Sequence, residues 1–249
     1  MKFGIVSRLV LCVIFLVISG LSANTLGDDI KVKVAQATQG YRDLKLTCIV
    51  KHANISELRK ISADFSQRYE FKKTTLMYKS PDKLKIEGKL GMVKMKIVIN
   101  GDQKALVIPS VRYSKKENIK NDPHKRQSDL DAGVFSDSFW NDYIVSKVEN
   151  EKDSDCSMYK ITFYRENAKE KKLICWVDVD SLKLYKLESF YTNGEKKVRY
   201  SFSRHIKAGN RIWVPMKMDI YNGEGKHAAS VEYDDVEINT GITDSEFKF

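Results

Sequence analysis

The chain has 249 residues, with 43 Lys or Arg against 33 Asp or Glu and a formal net charge of +10. At 42% hydrophobic and 31% charged residues the composition is globular, which excludes a disordered or low-complexity protein. The length admits one or two domains, including a single large all-β domain with a sizeable core.

The first 23 residues read as an export signal. Lys2 and Arg8 form a basic head, Leu9 to Ile18 an apolar run, and Ser19 to Ala23 a small-residue segment suited to cleavage near Ala23. The run is about ten residues, too short to span a bilayer; an uncleaved anchor is the alternative. Cys12 lies inside the run after the bulky Leu11, which argues against lipidation. The expected organisation is a signal peptide over 1–23 and one domain over 24–249, located in the periplasm. Without Lys2 and Arg8 the formal charge of +10 falls to about +8, a balance that suits anionic headgroups or acidic polymers. Export argues against a nucleic-acid partner.

Residues 28–41 pattern as an amphipathic helix, with Ile30, Val34 and Ala37 on one face and Gly40 near its end. Residues 54–65 are ambiguous between helix and strand. From residue 70 onward the dominant period is two, the mark of strands with one buried face. Thr74–Tyr78 and Lys83–Leu90 flank Ser80-Pro81-Asp82, turn chemistry whose proline has no N–H for a strand ladder. Strands are also expected from Val93 to Ile99, Lys104 to Pro109, Met158 to Tyr164, Lys172 to Asp178 and Leu182 to Tyr191. Three more follow at Lys197 to His205, Ile212 to Tyr221 and His227 to Glu237. Asn-Gly pairs at 100–101, 193–194 and 222–223 mark hairpins. Residues 115–128 read as an exposed basic loop, and 128–148 as a second amphipathic helix. About ten antiparallel strands in a meander would curl.

Catalytic and metal patterns are sparse. His52, His124, His205 and His227 are scattered, and no H-E-x-x-H, G-x-S-x-G or phosphate-loop motif occurs. No cofactor and no metal are expected, and no catalytic residue is assigned. Cys48, Cys156 and Cys175 leave two readings open: a Cys156–Cys175 bridge, or three small buried hydrophobes.

An ordered set of motifs then carries a family resemblance. Met77-Tyr78-Lys79-Ser80-Pro81 joins two strands, Ile99-Asn100-Gly101-Asp102 leads to Val107-Ile108-Pro109, and Cys175-Trp176-Val177-Asp178 precedes Leu184-Tyr185-Lys186-Leu187-Glu188. The chain closes on Val236-Glu237-Ile238-Asn239 and Asp244-Ser245-Glu246-Phe247. Together these resemble the LolA/LolB-like superfamily of periplasmic lipoprotein carriers and lipoprotein-sorting proteins. The resemblance implies a mainly β (α+β) fold: one curled antiparallel sheet forming an incomplete, half-open β-barrel, with helices over its concave face. It implies a monomeric, non-enzymatic carrier of lipoprotein acyl chains or another lipid, in transient contact with a membrane-bound donor and acceptor. The cavity would be lined by Leu76, Tyr78, Leu84, Ile86, Val93, Met95, Ile97, Phe163, Tyr200, Phe202, Met216, Met218, Val231 and Tyr233. The best-studied carriers have an arginine directly before the proline. Ser80 stands there in this chain, and strand alternation puts Lys79 on the opposite face. A lipid-sensing regulatory module of the kind that restrains anti-sigma factors is a second reading, and an exported hydrolase a third.

Overall fold

A computed structural model describes residues 27–122, 125–141, 143–153, 156–164 and 172–249. Residues 1–23, expected to be an export signal, with Cys12 and the expected cleavage point near Ala23, lie outside the described residues, as does His124.

Helix α1 covers residues 27–37 and buries Ile30 and Val34. Ala37, expected on the same face, is exposed, and Thr38 takes the buried position with its hydroxyl on the Val34 carbonyl, 2.9 Å. The ambiguous 54–65 stretch forms two short helices, α2 (Ile55–Ile61) and α3 (Ala63–Arg68). Each begins on a side-chain cap: Asn54 accepts from the Glu57 amide and Ser62 from the Phe65 amide.

Among the described residues there are fifteen strands, most with the period-two pattern. They are β1 (Asp43–Ala53), β2 (Lys73–Lys79), β3 (Lys83–Leu90), β4 (Val93–Asn100), β5 (Gln103–Ile108), β6 (Tyr113–Asn118), β7 (Ile144–Asp153) and β8 (Cys156–Tyr164). After these come β9 (Leu173–Asp178), β10 (Leu184–Phe190), β11 (Lys196–Ser203), β12 (Ile206–Ala208), β13 (Ile212–Val214), β14 (Lys217–Asn222) and β15 (His227–Ile238). Thirteen form one antiparallel sheet in the order β6-β5-β4-β3-β2-β1-β15-β14-β11-β10-β9-β8-β7, while β12 and β13 make a separate ribbon. The chain meanders from β1 at the centre to the β6 edge. It then crosses to the far edge at β7 and meanders back until β15 lies beside β1. The sheet is not closed, since β6 and β7 are both edges.

Several expectations are corrected. Residues 115–118 of the supposed basic loop belong to strand β6, paired with β5. It carries Lys115 and Lys116 and is polar on both faces, as befits an edge that must not pair further. The helix expected over 128–148 is absent. Gly133 interrupts it at φ +81°, with 3-10 turns at Asp129–Ala132 and Asp137–Asn141 around it and strand β7 after them. A Cβ on Gly133 would lie 2.6 Å from the Phe202 ring and 2.7 Å from Pro215, so only glycine permits this approach. The strand expected over 212–221 breaks at Pro215 into β13 and β14. No Cys156–Cys175 bridge exists: Cys175 is a buried free thiol opposite Ile161. At about 3.3 Å per residue, five residues along β8 put the Cys156 backbone far beyond disulfide reach.

The hairpin registers build one apolar face. Leu76 pairs with Ile86 and Tyr78 with Leu84 across the Ser80-Pro81 turn. The first row extends from Leu46 through Leu76, Ile86 and Ile97 to Leu106. On the other side of the sheet, Ile161, Cys175, Leu187, Tyr200, Ile220 and Ala229 form a comparable row. The crossover between β6 and β7 packs on this face, burying Ile119, Leu130, Val134 and Phe135 in the main core. The opposite face holds a smaller cluster in which Ile242 and Phe247 of the C-terminal segment cover Met77 and Val98.

Candidate functional site

A cavity of about 320 Å³ lies on the apolar face, at the lower end of the roughly 300–1,000 Å³ of small-molecule sites. Its floor comes from strands β1 to β5: Cys48 and Val50, then Leu76, Leu84 and Ile86, then Met95, Ile97 and Leu106. Tyr200, Met218, Val231 and Tyr233 form the side toward β11, β14 and β15. Helix α3 and the residues after it contribute Phe65, Arg68, Tyr69 and Phe71, and the crossover contributes Gln127, Asp131 and Ala132.

The aromatic wall is an interlocked set. Phe65 stands 5.3 Å from Tyr69 and 6.4 Å from Tyr200 between ring centroids, and Tyr200 stacks on Phe202 at 6.3 Å. The polar tips of this wall remain neutral. Burial pushes the hydroxyl pKa values of Tyr69, Tyr200 and Tyr233 well up, and pushes the Cys48 thiol to about 12. Such a thiol is a hydrophobic wall atom and not a nucleophile. The charged groups at the rim are Arg68 and Asp131, while the interior suits an apolar ligand.

Of the fourteen side chains expected to line a cavity, Leu76, Leu84, Ile86, Met95, Ile97, Tyr200, Met218, Val231 and Tyr233 do so. The other five do not, each for a local reason. Tyr78 is on the same face but fully buried against Tyr41, with its hydroxyl on the Pro81 carbonyl. Val93 pairs with Leu90 at the hairpin end and is 40% exposed, past the cavity mouth. Phe163 is sealed by Trp140 and Tyr143 of the crossover at 5.7 and 6.5 Å. Phe202 lies under Gly133, and Met216 precedes β14 with its amide on the Ser203 carbonyl. Sequence reasoning missed the contribution of β1, although Leu44, Leu46, Cys48 and Val50 alternate visibly in DLKLTCIV. It also missed Phe65, Arg68 and the crossover residues, which no periodicity connects to the strands.

Lys79 reaches the opposite face, donating to the Ile242 carbonyl at 2.9 Å and to Asp244 at 2.6 Å. It therefore does not stand in for the missing arginine. One Ser/His/Asp group also forms, at Ser230, His227 and Asp219. Ser230 Oγ donates to Asp219 Oδ1 at 2.5 Å and lies 3.0 Å from His227 Nε2, and the same Nε2 is 3.6 Å from Asp219. A relay needs acid and nucleophile on opposite ring nitrogens, so this arrangement is not one.

A family model described as "Uncharacterized protein" matches residues 92–249. No curated protein matches the chain in sequence. Among solved structures, a LolA superfamily protein from Nitrosomonas europaea superposes with a TM-score of 0.62 at 12% identity, covering 90% of this chain and 97% of that one. A putative outer membrane lipoprotein-sorting protein domain from Vibrio parahaemolyticus gives 0.58 at 14% identity, covering 90% and 97%. These likenesses establish a LolA-like fold.

Proposed function

The chain belongs to the family described as "Uncharacterized protein", and from its LolA-like fold we propose that it is an exported, soluble carrier that holds lipid acyl chains. The observation that carries this reading is the 320 Å³ apolar cavity on one face of an unclosed sheet, with walls that stay uncharged. Read this way, the sheet is an incomplete barrel whose concave face is covered by the helices and the crossover. Cleavage near Ala23 would release the protein into the periplasm, where a monomer suffices for shuttling between a membrane-bound donor and acceptor. Lipoprotein sorting to an outer membrane is the specific role that the Vibrio parahaemolyticus domain's description suggests.

Energetics suit a carrier. Burial is worth about 0.8 kcal/mol per CH₂, so a sixteen-carbon chain gains on the order of 12 kcal/mol gross. Release requires that some of this be withheld, and the thioethers of Met95 and Met218 supply adaptable, imperfect packing.

The test is native mass spectrometry of protein purified from a bacterial periplasm, with uptake of a fluorescent acyl probe. Co-purified lipid or acylated protein is expected. Ile97→Glu, which puts a carboxylate on the cavity floor, should abolish uptake while circular dichroism stays unchanged. A clean apo mass together with no probe uptake would sink the carrier reading.

A further inference from the structure

The apolar cavity borders a second hollow. It shares Phe65, Arg68, Gln127, Asp131 and Tyr200 with that hollow, of about 590 Å³ on the side toward β10 and β11. The two hollows have opposite chemistry. Where the first is floored by aliphatic side chains, the second is ringed by Arg68, Lys104, Lys115, Lys125, Arg126 and Lys197. Two carboxylates face it. Glu117 is bound to Lys125 at 3.0 Å, and Asp131 accepts from the Ser128 amide at 2.9 Å in a capping box.

Some of these cations are neutralised within the protein. Arg126 pairs with Asp102, and Lys125 also pairs with Asp122 at 3.2 Å. Arg68, Lys115 and Lys197 have no carboxylate partner among the described residues. Lys197 is half-buried, with its ammonium 5.5 Å from the centre of the Tyr191 ring. Burial lowers its pKa, and the neighbouring Arg68 lowers it further. With Lys197 half-buried and Arg68 exposed, two like charges so placed repel each other, and an anion between them would relieve that repulsion.

We propose that the ligand is a single-chain anionic amphiphile, whose chain fills the apolar cavity and whose carboxylate or phosphate head sits between Arg68 and Lys197 in the basic hollow. This inference rests on the carrier reading and specifies its cargo class. Arg68 is suited to the anchoring role because its guanidinium offers paired donors to two oxygens, and Lys197 adds a point charge. Lys104 and Lys115, on β5 and β6, would add longer-range attraction and guide entry. Neutral lipids of equal chain length would gain only the apolar part of the site.

The test is displacement of an uncharged pyrene-labelled acyl alcohol from periplasmically expressed protein by chain-matched competitors. Dodecanoate and dodecyl phosphate should each displace it at least about tenfold more effectively than dodecanol, the effect of one charge-assisted hydrogen bond. Lys197→Gln should erode that margin and leave dodecanol unchanged, which also reports an intact cavity, and Arg68→Gln should erode the margin as well. Equal potency of dodecanol and dodecanoate, or a margin that survives both substitutions, would overturn the headgroup site while leaving the carrier reading standing. Inorganic phosphate binding as tightly as dodecyl phosphate would make the hollow a free-anion site and overturn the amphiphile assignment. Failure of the pyrene probe itself to bind would defeat the carrier reading, and this inference with it.

Discussion

The two ends of the apolar face were written in the same code and ended with different occupants. At β2 to β5, the row Leu76, Ile86, Ile97 and Leu106 floors an open cavity. At β8 and β9, Ile161 and Cys175 are fully buried, and Phe163 beside them meets Trp140 and Tyr143 of the crossover. Alternation of apolar residues says only that a face will leave water. What replaces the water depends on where the one long connection lies. Here it begins at Ile119 beside the β6 edge and reaches the β7 edge with its aromatic residues, so its bulk fills the β8 end. The β3 end keeps space for something else.

That contrast is open to direct test by urea denaturation. Phe163→Ala should cost about 4 kcal/mol, because the sealed region cannot collapse around the hole. Ile97→Ala should cost about 1 kcal/mol, since that side chain already borders empty space. Equal losses at the two sites would mean that the regions do not differ. Gly133→Ala comes next, at about 3 kcal/mol, from a left-handed backbone combined with collision against Phe202 and Pro215. If the crossover's position creates the cavity, the same substitution should change probe uptake as well as stability, and unchanged uptake would separate the two.

A further effect is conditional on pH. Asp129, fully buried in the crossover, accepts from Ser136 and Ser138 at 2.6 and 2.9 Å. Burial outweighs these bonds and lifts its pKa from 3.8 to about 6. Below the unfolded value both states are protonated. As pH rises from 4 to 6 the unfolded chain ionises first, so stability falls, and the loss is complete above the folded value. The shift corresponds to at most about 3 kcal/mol by pH 7. Asp129→Asn should therefore gain on the wild type across this window, seen as diverging urea midpoints at pH 4 and pH 7. Parallel pH profiles would show that Asp129 does not carry this dependence.

Much of the fold was legible because a strand's side-chain period is local. The Ser80-Pro81-Asp82 turn, the Leu76–Ile86 and Tyr78–Leu84 pairs and most later hairpins could be read from spacing. Central strand β1 carried the same pattern and was overlooked, whereas edge strand β6 has none, being held by backbone bonds to β5. Residues 128–148 misled because Leu130, Val134, Trp140, Ile144 and Val148 mimic a helical face. Gly133, the two 3-10 turns and β7 place them instead in separate elements.

By itself, the sequence determined the strands, their inward faces and so the apolar character of the site, because burial preference acts residue by residue. Only the tertiary structure decided which of those faces is filled by the chain and which remains open. It also brought Arg68, Gln127 and Lys197, from three distant segments, to the border of that opening. Such groupings depend on how a closed set of hydrogen bonds orders the strands and routes one crossover. No pattern of period two or 3.6 along the chain encodes that routing.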